Sequence, residues 1–157
     1  MNKHWPRWIF ASVTKHFGDN LEDLDVFYEG QKRSAEDYST DLVEVRVDGP
    51  YFLQLGATLW LAKMEANLLV QAAMDDHDFH KIHSMVGIVA KAFTSGIVVY
   101  KYGDGPDDDD SIIGCLELLQ DRRDRDLLTI NHFGQINPDR QLLQATVEGH
   151  YSIQLTG

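Results

Sequence analysis

Three histidines recur at every third position near the middle of the sequence, at His77, His80 and His83. Residues at i and i+3 are neighbours on a helix, so His80 and His83 have a spacing suited to a transition metal. His77 or Asp76 would supply the third ligand. The alternative is an exposed, acidic first helical turn. We therefore keep His77, His80 and His83 as weak metal candidates, and predict no bound metal or cofactor.

A group of nearby aspartates suggests a calcium site, because carboxylate oxygens are the ligands that this ion prefers. They are Asp104 and the run from Asp107 to Asp110. The EF-hand pattern fails, since the sixth position counted from Asp107 is Ile112 and the twelfth is Leu118. A solvated acidic loop is therefore the favoured interpretation.

Nucleophilic catalysis has one weak candidate, the pair formed by Cys115 and His132. A lone cysteine between apolar strand residues is more typical of a small buried side chain. The sequence contains no G-x-S-x-G, phosphate-loop or H-E-x-x-H motif. We predict that the chain is not an enzyme and has no catalytic residue.

Two further groups of side chains leave other functions open. Trp60, Tyr51 and Tyr151 would suit a small-ligand pocket, although such aromatic residues are also typical of a core. The arginines at 122, 123 and 125 alternate with aspartates, which predicts self-neutralised surface rather than a phosphate site.

Composition limits the class of protein. A chain of 157 residues with 43 % hydrophobic residues predicts one domain over residues 1–157. The net charge of -11 disfavours a general DNA-binding surface. Cys115 has no partner for an internal disulfide, and no stretch approaches the ~20 apolar residues needed to cross a bilayer. We expect a soluble protein made in a reducing compartment.

The clearest structural pattern is the alternation of apolar and polar residues from Leu142 to Thr156. Side chains of a strand point alternately to opposite faces, so this segment predicts one long, half-buried strand. A second alternation runs from Trp60 to Ala72, although Trp60, Met64 and Leu68 also fit helical spacing. We interpret it as the strand that pairs with the first.

Two helices are predicted. The first runs from Trp5 to Phe17 and stops at Gly18. The main helix opens with Asp75 as its cap and ends at Gly96. Its apolar stripe contains Phe79, Ile82, Val86, Val89 and Phe93. Residues 19–41 between the first helix and the sheet are predicted to be a loop or arm, with a short extended piece at Val26 to Tyr28.

The remaining strands follow from alternation and turn residues. They are predicted at Leu42 to Val47, Tyr51 to Leu55, Ile97 to Tyr102, Ile112 to Leu119 and Leu127 to Ile136, with turns at Asp48-Gly49-Pro50 and Asn137-Pro138-Asp139. The predicted fold class is α+β. It has a mostly antiparallel sheet with a long C-terminal strand, packed on one face by one main helix plus a short N-terminal helix.

This order of elements resembles the tail-terminator, or tail-completion, proteins of tailed bacteriophages. The resemblance is carried by the leading helix, the hairpin around DLVEVRVDGPYF, the helix DDHDFHKIHSMVGIVAKAF and the closing hairpin that ends in LLQATVEGHYSIQLT. It covers most of the chain, but it is a resemblance of pattern, so no binding residue is carried over.

The resemblance implies a structural virion protein. Such subunits form a ring, usually of six, at the head–tail junction, where the ring stops growth of the tail tube and lets DNA pass. The implied partners are other copies of the chain, the tail-tube protein and a head-completion or neck protein, with no membrane. The implied location is the virion, and the host cytoplasm during assembly. The alternatives are another neck or tail-tube component, or a small metal-binding protein that uses the three histidines.

Overall fold

The computed structural model describes residues 1–31, 34, 40–73, 79–103, 111–119, 128–137 and 142–157. These residues form two helices and seven strands. In chain order they are α1 (Trp5–Asn20), β1 (Val26–Tyr28), β2 (Leu42–Gln54), β3 (Leu59–Ala73), α2 (His80–Thr94), β4 (Ile97–Lys101), β5 (Ser111–Leu118), β6 (Thr129–Asn137) and β7 (Leu142–Thr156).

The strands form a single curled sheet in the order β1, β2, β3, β7, β5, β4, and β6 also pairs with β7. The α+β class is therefore confirmed. The prediction of a mostly antiparallel sheet is wrong, because the sheet is mixed: β1 lies parallel to β2.

Three long strands make up the centre of the sheet. Strands β3 and β7 pair over their whole length, from Leu59 opposite Thr156 to Ala73 opposite Leu142. This confirms the strand interpretation of both alternations and the predicted bounds of β7. Alternate residues of each strand are buried, so the sheet has an inner face toward the helices and an outer, more polar face.

Both described helices pack on the inner face. Helix α1 contacts β2 and β4, and α2 contacts β3 and β7. The aromatic rings of Phe17, Phe93 and Tyr151 connect the layers, with ring centroids of Phe93 5.1 Å from Phe17 and 6.1 Å from Tyr151. Val147 and Tyr151 are fully buried, so the inner face is where β7 contributes to the core.

Helix α1 is longer than predicted, with 16 residues that continue past Gly18 to Asn20. The prediction of a short helix that ends at Gly18 is therefore wrong. A Cβ atom at Gly18 would lie 2.9 Å from the Tyr28 hydroxyl oxygen, and that hydroxyl donates to the Thr14 carbonyl oxygen at 2.8 Å. The glycine provides room for β1 against the helix, rather than a helix end.

Strand β2 continues through Asp48-Gly49-Pro50, where the sequence predicted a turn. The pairing register with β3 shifts between Asp48 and Tyr51, and Gly49 has a φ of 102°. A residue with positive φ followed by a proline is accommodated in a strand as a bulge. The turn prediction is wrong, and the hairpin reverses at residues 55–58 instead.

Helix α2 begins at His80 with Phe79 in the N-cap position and without a side-chain cap. Its predicted cap, Asp75, lies outside the described residues. Ile82, Val86, Val89 and Phe93 are buried, as predicted for the apolar stripe, whereas Phe79 is 56 % exposed and does not belong to it. Gly96 lies close to Cys115, since a Cβ atom at Gly96 would be 2.7 Å from Cys115 Sγ.

Part of the predicted loop or arm at residues 19–41 is packed on the domain. Asp19 and Asn20 belong to α1, Leu21 is 1 % exposed, and β1 pairs with β2. Residues 32, 33 and 35–39 lie outside the described residues, so the prediction of an arm is untested there.

Candidate functional site

The metal candidates are only partly visible in the structure. His80 and His83 lie in the first turn of α2 with exposed side chains, and His77 lies outside the described residues. Among the described residues no group of three or more His, Cys, Asp or Glu side chains is arranged to hold a metal ion. The candidate three-ligand site on this helix is therefore untested, because His77 and Asp76 lie outside the described residues.

His83 instead meets a histidine from another part of the chain. The ring centroids of His83 and His132 are 4.7 Å apart, with 52° between the ring planes. His132 lies on β6 opposite Ala145, whose side chain is on the buried, inner face of β7. This register places His132 on the side of the sheet where α2 packs.

The same register separates Cys115 from His132. His132 pairs with Ala145, whereas Leu118 on β5 pairs with Tyr151, six residues further along β7. That is about 20 Å of strand, and Cys115 lies further still in the same direction. The two side chains do not form a nucleophile and base pair.

Cys115 is also exposed, so the interpretation as a buried hydrophobic residue is wrong. Partial burial, and secondarily the nearby Glu117, raise the pKa of its thiol. A raised pKa means less thiolate at neutral pH, which disfavours the thiol as a nucleophile.

The aromatic trio is not brought together as a pocket. Tyr51 and Tyr151 both border a surface depression of about 280 Å³, but Trp60 does not. Tyr151 is buried and its hydroxyl donates to the Phe93 carbonyl oxygen at 2.8 Å, so it serves the core. Trp60 has a buried Nε1 without a hydrogen-bond partner in the described structure.

The acidic loop with Asp104 and Asp107 to Asp110, interpreted as solvated, lies outside the described residues, as do the arginines at 122, 123 and 125. The structure leaves those predictions untested.

Sequence reasoning missed an apolar surface at one end of the sheet. Tyr51, Leu53 and Leu55 are 60 %, 56 % and 48 % exposed, and we call them the tip patch because they lie where β2 turns into β3. Tyr51 pairs with Lys63 and Leu53 with Leu61 on the outer face. The alternation of residues 51–55 was recognisable in sequence. What that pattern could not indicate is that neither helix covers this face.

The outer face is polar away from the tip patch. Glu44 accepts a hydrogen bond from Arg46 Nε at 2.9 Å, and Glu65 lies 3.7 Å from His150 Nδ1. At the far end Gln71 is buried and donates to the Thr40 carbonyl oxygen. On β2 and β3, the large exposed hydrophobic side chains are those of the tip patch.

Two further exposed apolar side chains lie on β6. Ile130 and Phe133 are 44 % and 53 % exposed, and we call them the edge patch. Within the described part of the chain, β6 pairs with β7 alone, so its other edge is free of a described strand. Unpaired backbone groups beside apolar side chains favour pairing with another chain.

No protein-family model and no curated protein matches this sequence. Neither described helix is long and apolar enough to span a bilayer.

Proposed function

We propose that the chain is a structural subunit of a ring, usually a hexamer, that acts as the tail terminator at the head–tail junction of a tailed bacteriophage. The ring stops growth of the tail tube and leaves a passage for DNA. It performs no catalysis. Its partners are other copies of the chain, the tail-tube protein and a head-completion or neck protein.

The observation that carries the proposal is the tip patch. Three large hydrophobic side chains that are about half exposed and lie close together at one end of the sheet are typical of a protein–protein contact. Tyr51 adds an aromatic ring whose hydroxyl donates to Asp48 Oδ1 at 2.7 Å, which orients it in the isolated subunit. An oriented ring loses less entropy when a partner packs on it.

The edge patch supplies the second surface that a closed ring needs. In a head-to-tail ring each subunit uses two different surfaces, one for each neighbour. The tip patch lies beside residues 59–63 at one end of β3, and β6 pairs with the opposite end of β7. Two surfaces at opposite ends of the sheet suit a heterologous contact.

Charge supports a passage rather than a binding site for DNA. The chain has a net charge of -11, and acidic residues such as Glu65 and Glu148 lie on the outer face of the sheet. A wall of like charge repels phosphate and keeps DNA from adhering.

Assembly of the untagged protein tests the proposal. We expect native mass spectrometry and negative-stain images to show a ring, and Leu53→Asp to reduce the ring population at least tenfold, because the charge would be desolvated in the contact. Ser84→Asp is the matched control: it adds the same charge at an exposed position of α2, on the other face.

The ring proposal would be overturned if neither the parent protein nor Ser84→Asp associated at any concentration and neither bound to a tube end. A ring that is incorporated into growing tubes, instead of capping their ends, would favour the alternative that the chain is a tail-tube or other neck component. Tube length measured with and without added protein separates these two functions.

A further inference from the structure

We propose that His83 and His132 form a transition-metal site that fastens the start of α2 to β6. The site differs from the helical triplet considered from sequence, since it combines one histidine from that triplet with one from a distant strand. It does not depend on the proposed ring.

The separation of the two rings suits a shared metal ion. With metal–nitrogen distances of about 2.0–2.1 Å, two imidazoles at tetrahedral or square-planar angles have centroids roughly 4.5–5.2 Å apart. The centroids of His83 and His132 are 4.7 Å apart and the rings are tilted by 52° rather than stacked flat. The spacing of the rings is therefore compatible with one metal ion bound by a nitrogen of each ring.

The backbone holds the two ligands in fixed positions. His83 is in the first turn of α2, which is anchored by the buried side chains of Ile82 and Val86. His132 is in a strand whose backbone pairs with β7 at Ala145. Ligands on regular elements bind with little ordering cost, because their relative position is set before the metal arrives.

The chemistry of the site selects the class of metal. Imidazole nitrogen suits Zn²⁺, Ni²⁺ and Cu²⁺, whereas Ca²⁺ and Mg²⁺ prefer oxygen. Both side chains are exposed, so water completes the coordination and the metal has direct access.

The test is a Zn²⁺ titration of tag-free protein, with histidine ring signals followed by NMR and the melting temperature measured in parallel. We expect the signals of His83 and His132 to shift together at one equivalent of zinc, with a rise in melting temperature. His83→Ala and His132→Ala should each weaken zinc binding at least tenfold.

His150→Ala is the matched control, because His150 is an exposed histidine beside a carboxylate, Glu65, on the outer face. It should bind zinc as the parent protein does. Equal zinc affinity in all three variants, or ring shifts confined to His150, would overturn the site. Circular dichroism of each variant confirms that the loss of binding does not follow from unfolding.

Discussion

The buried hydroxyl of Tyr151 completes the hydrogen bonding at the end of α2. Phe93 is the second-last residue of that helix, so no N–H group of the helix donates to its carbonyl oxygen. The Tyr151 hydroxyl donates to it at 2.8 Å, and burial raises the pKa of this phenol well above its usual value. This bond from β7 acts together with the contact between His16 Nε2 and the Ala92 carbonyl oxygen, at 2.9 Å, to hold the end of α2.

We predict that Tyr151→Phe lowers the free energy of unfolding by about 1–2 kcal/mol at neutral pH, because a buried acceptor loses its donor. The effect is pH-dependent. The folded-state pKa is raised, so the contribution of Tyr151 is fully present below about pH 10 and is lost as pH rises toward the folded pKa. The difference between parent and variant should therefore shrink above about pH 10.

Urea unfolding at a series of pH values between neutral and alkaline measures this difference. Tyr51→Phe is the control, since it removes the same hydroxyl at a position that is 60 % exposed and should change stability little. An equal and pH-independent effect of both substitutions would mean that the bond to Phe93 is unimportant.

The meeting of α2 with β7 depends on a glycine in the middle of the strand. A Cβ atom at Gly149 would lie 2.6 Å from Phe93 Cδ1 and 2.9 Å from Leu118 Cδ1. Phe93 is fully buried, so its ring has little freedom to move away, whereas Leu118 is partly buried. The helix and the strand approach as closely as they do because this position has no side chain.

We predict that Gly149→Ala costs about 1–3 kcal/mol, as is typical when a packed core is overfilled. Gly87→Ala is the matched control on the exposed face of α2, where an added Cβ meets no atom within 4 Å. It should stabilise the protein by up to about 1 kcal/mol, because alanine favours the helix. Thermal unfolding of both variants measures whether each substitution lowers or raises stability. A Gly149→Ala variant as stable as the parent would contradict the close packing.

Elements with a strict pattern were predictable from the sequence. Strands β3 and β7 have period-two burial over most of their length, and the apolar stripe of α2 has helical spacing. Local glycine signals were misleading where tertiary packing decides. Gly18 was predicted to end α1 but makes room for Tyr28, and Gly49 was predicted to lie in a turn but forms a bulge in β2. The parallel pairing of β1 depends on the path of the chain and has no local signal.

The candidate site was less predictable than the fold. The histidine spacing singled out His83 as a candidate, but its neighbour His132 is brought in by the pairing of β6 with β7. The tip patch had a visible alternation, yet exposure depends on which face the helices cover. Sites built from contacts between distant segments require the register of the sheet, which a single sequence does not supply.

At the scale of the whole molecule, apolar surfaces and acidic charge act against each other. The tip patch and the edge patch favour association, whereas subunits of net charge -11 repel one another. Within the described residues, the acids of the outer face are only partly paired with cations, as at Glu44 with Arg46. Association should therefore depend on how far this repulsion is screened.

We predict that the association of subunits strengthens as NaCl rises from 0.05 to about 0.5 M. The Debye length falls from roughly 14 Å to about 4 Å over this range, so repulsion between subunits weakens while apolar contacts are unaffected or strengthened. Sedimentation velocity at matched protein concentrations measures the change. Leu53→Asp should remain less associated at both salt concentrations, because screening does not restore an apolar contact. Association that weakens with salt would instead mean that ion pairs, and not the tip patch, hold the subunits together.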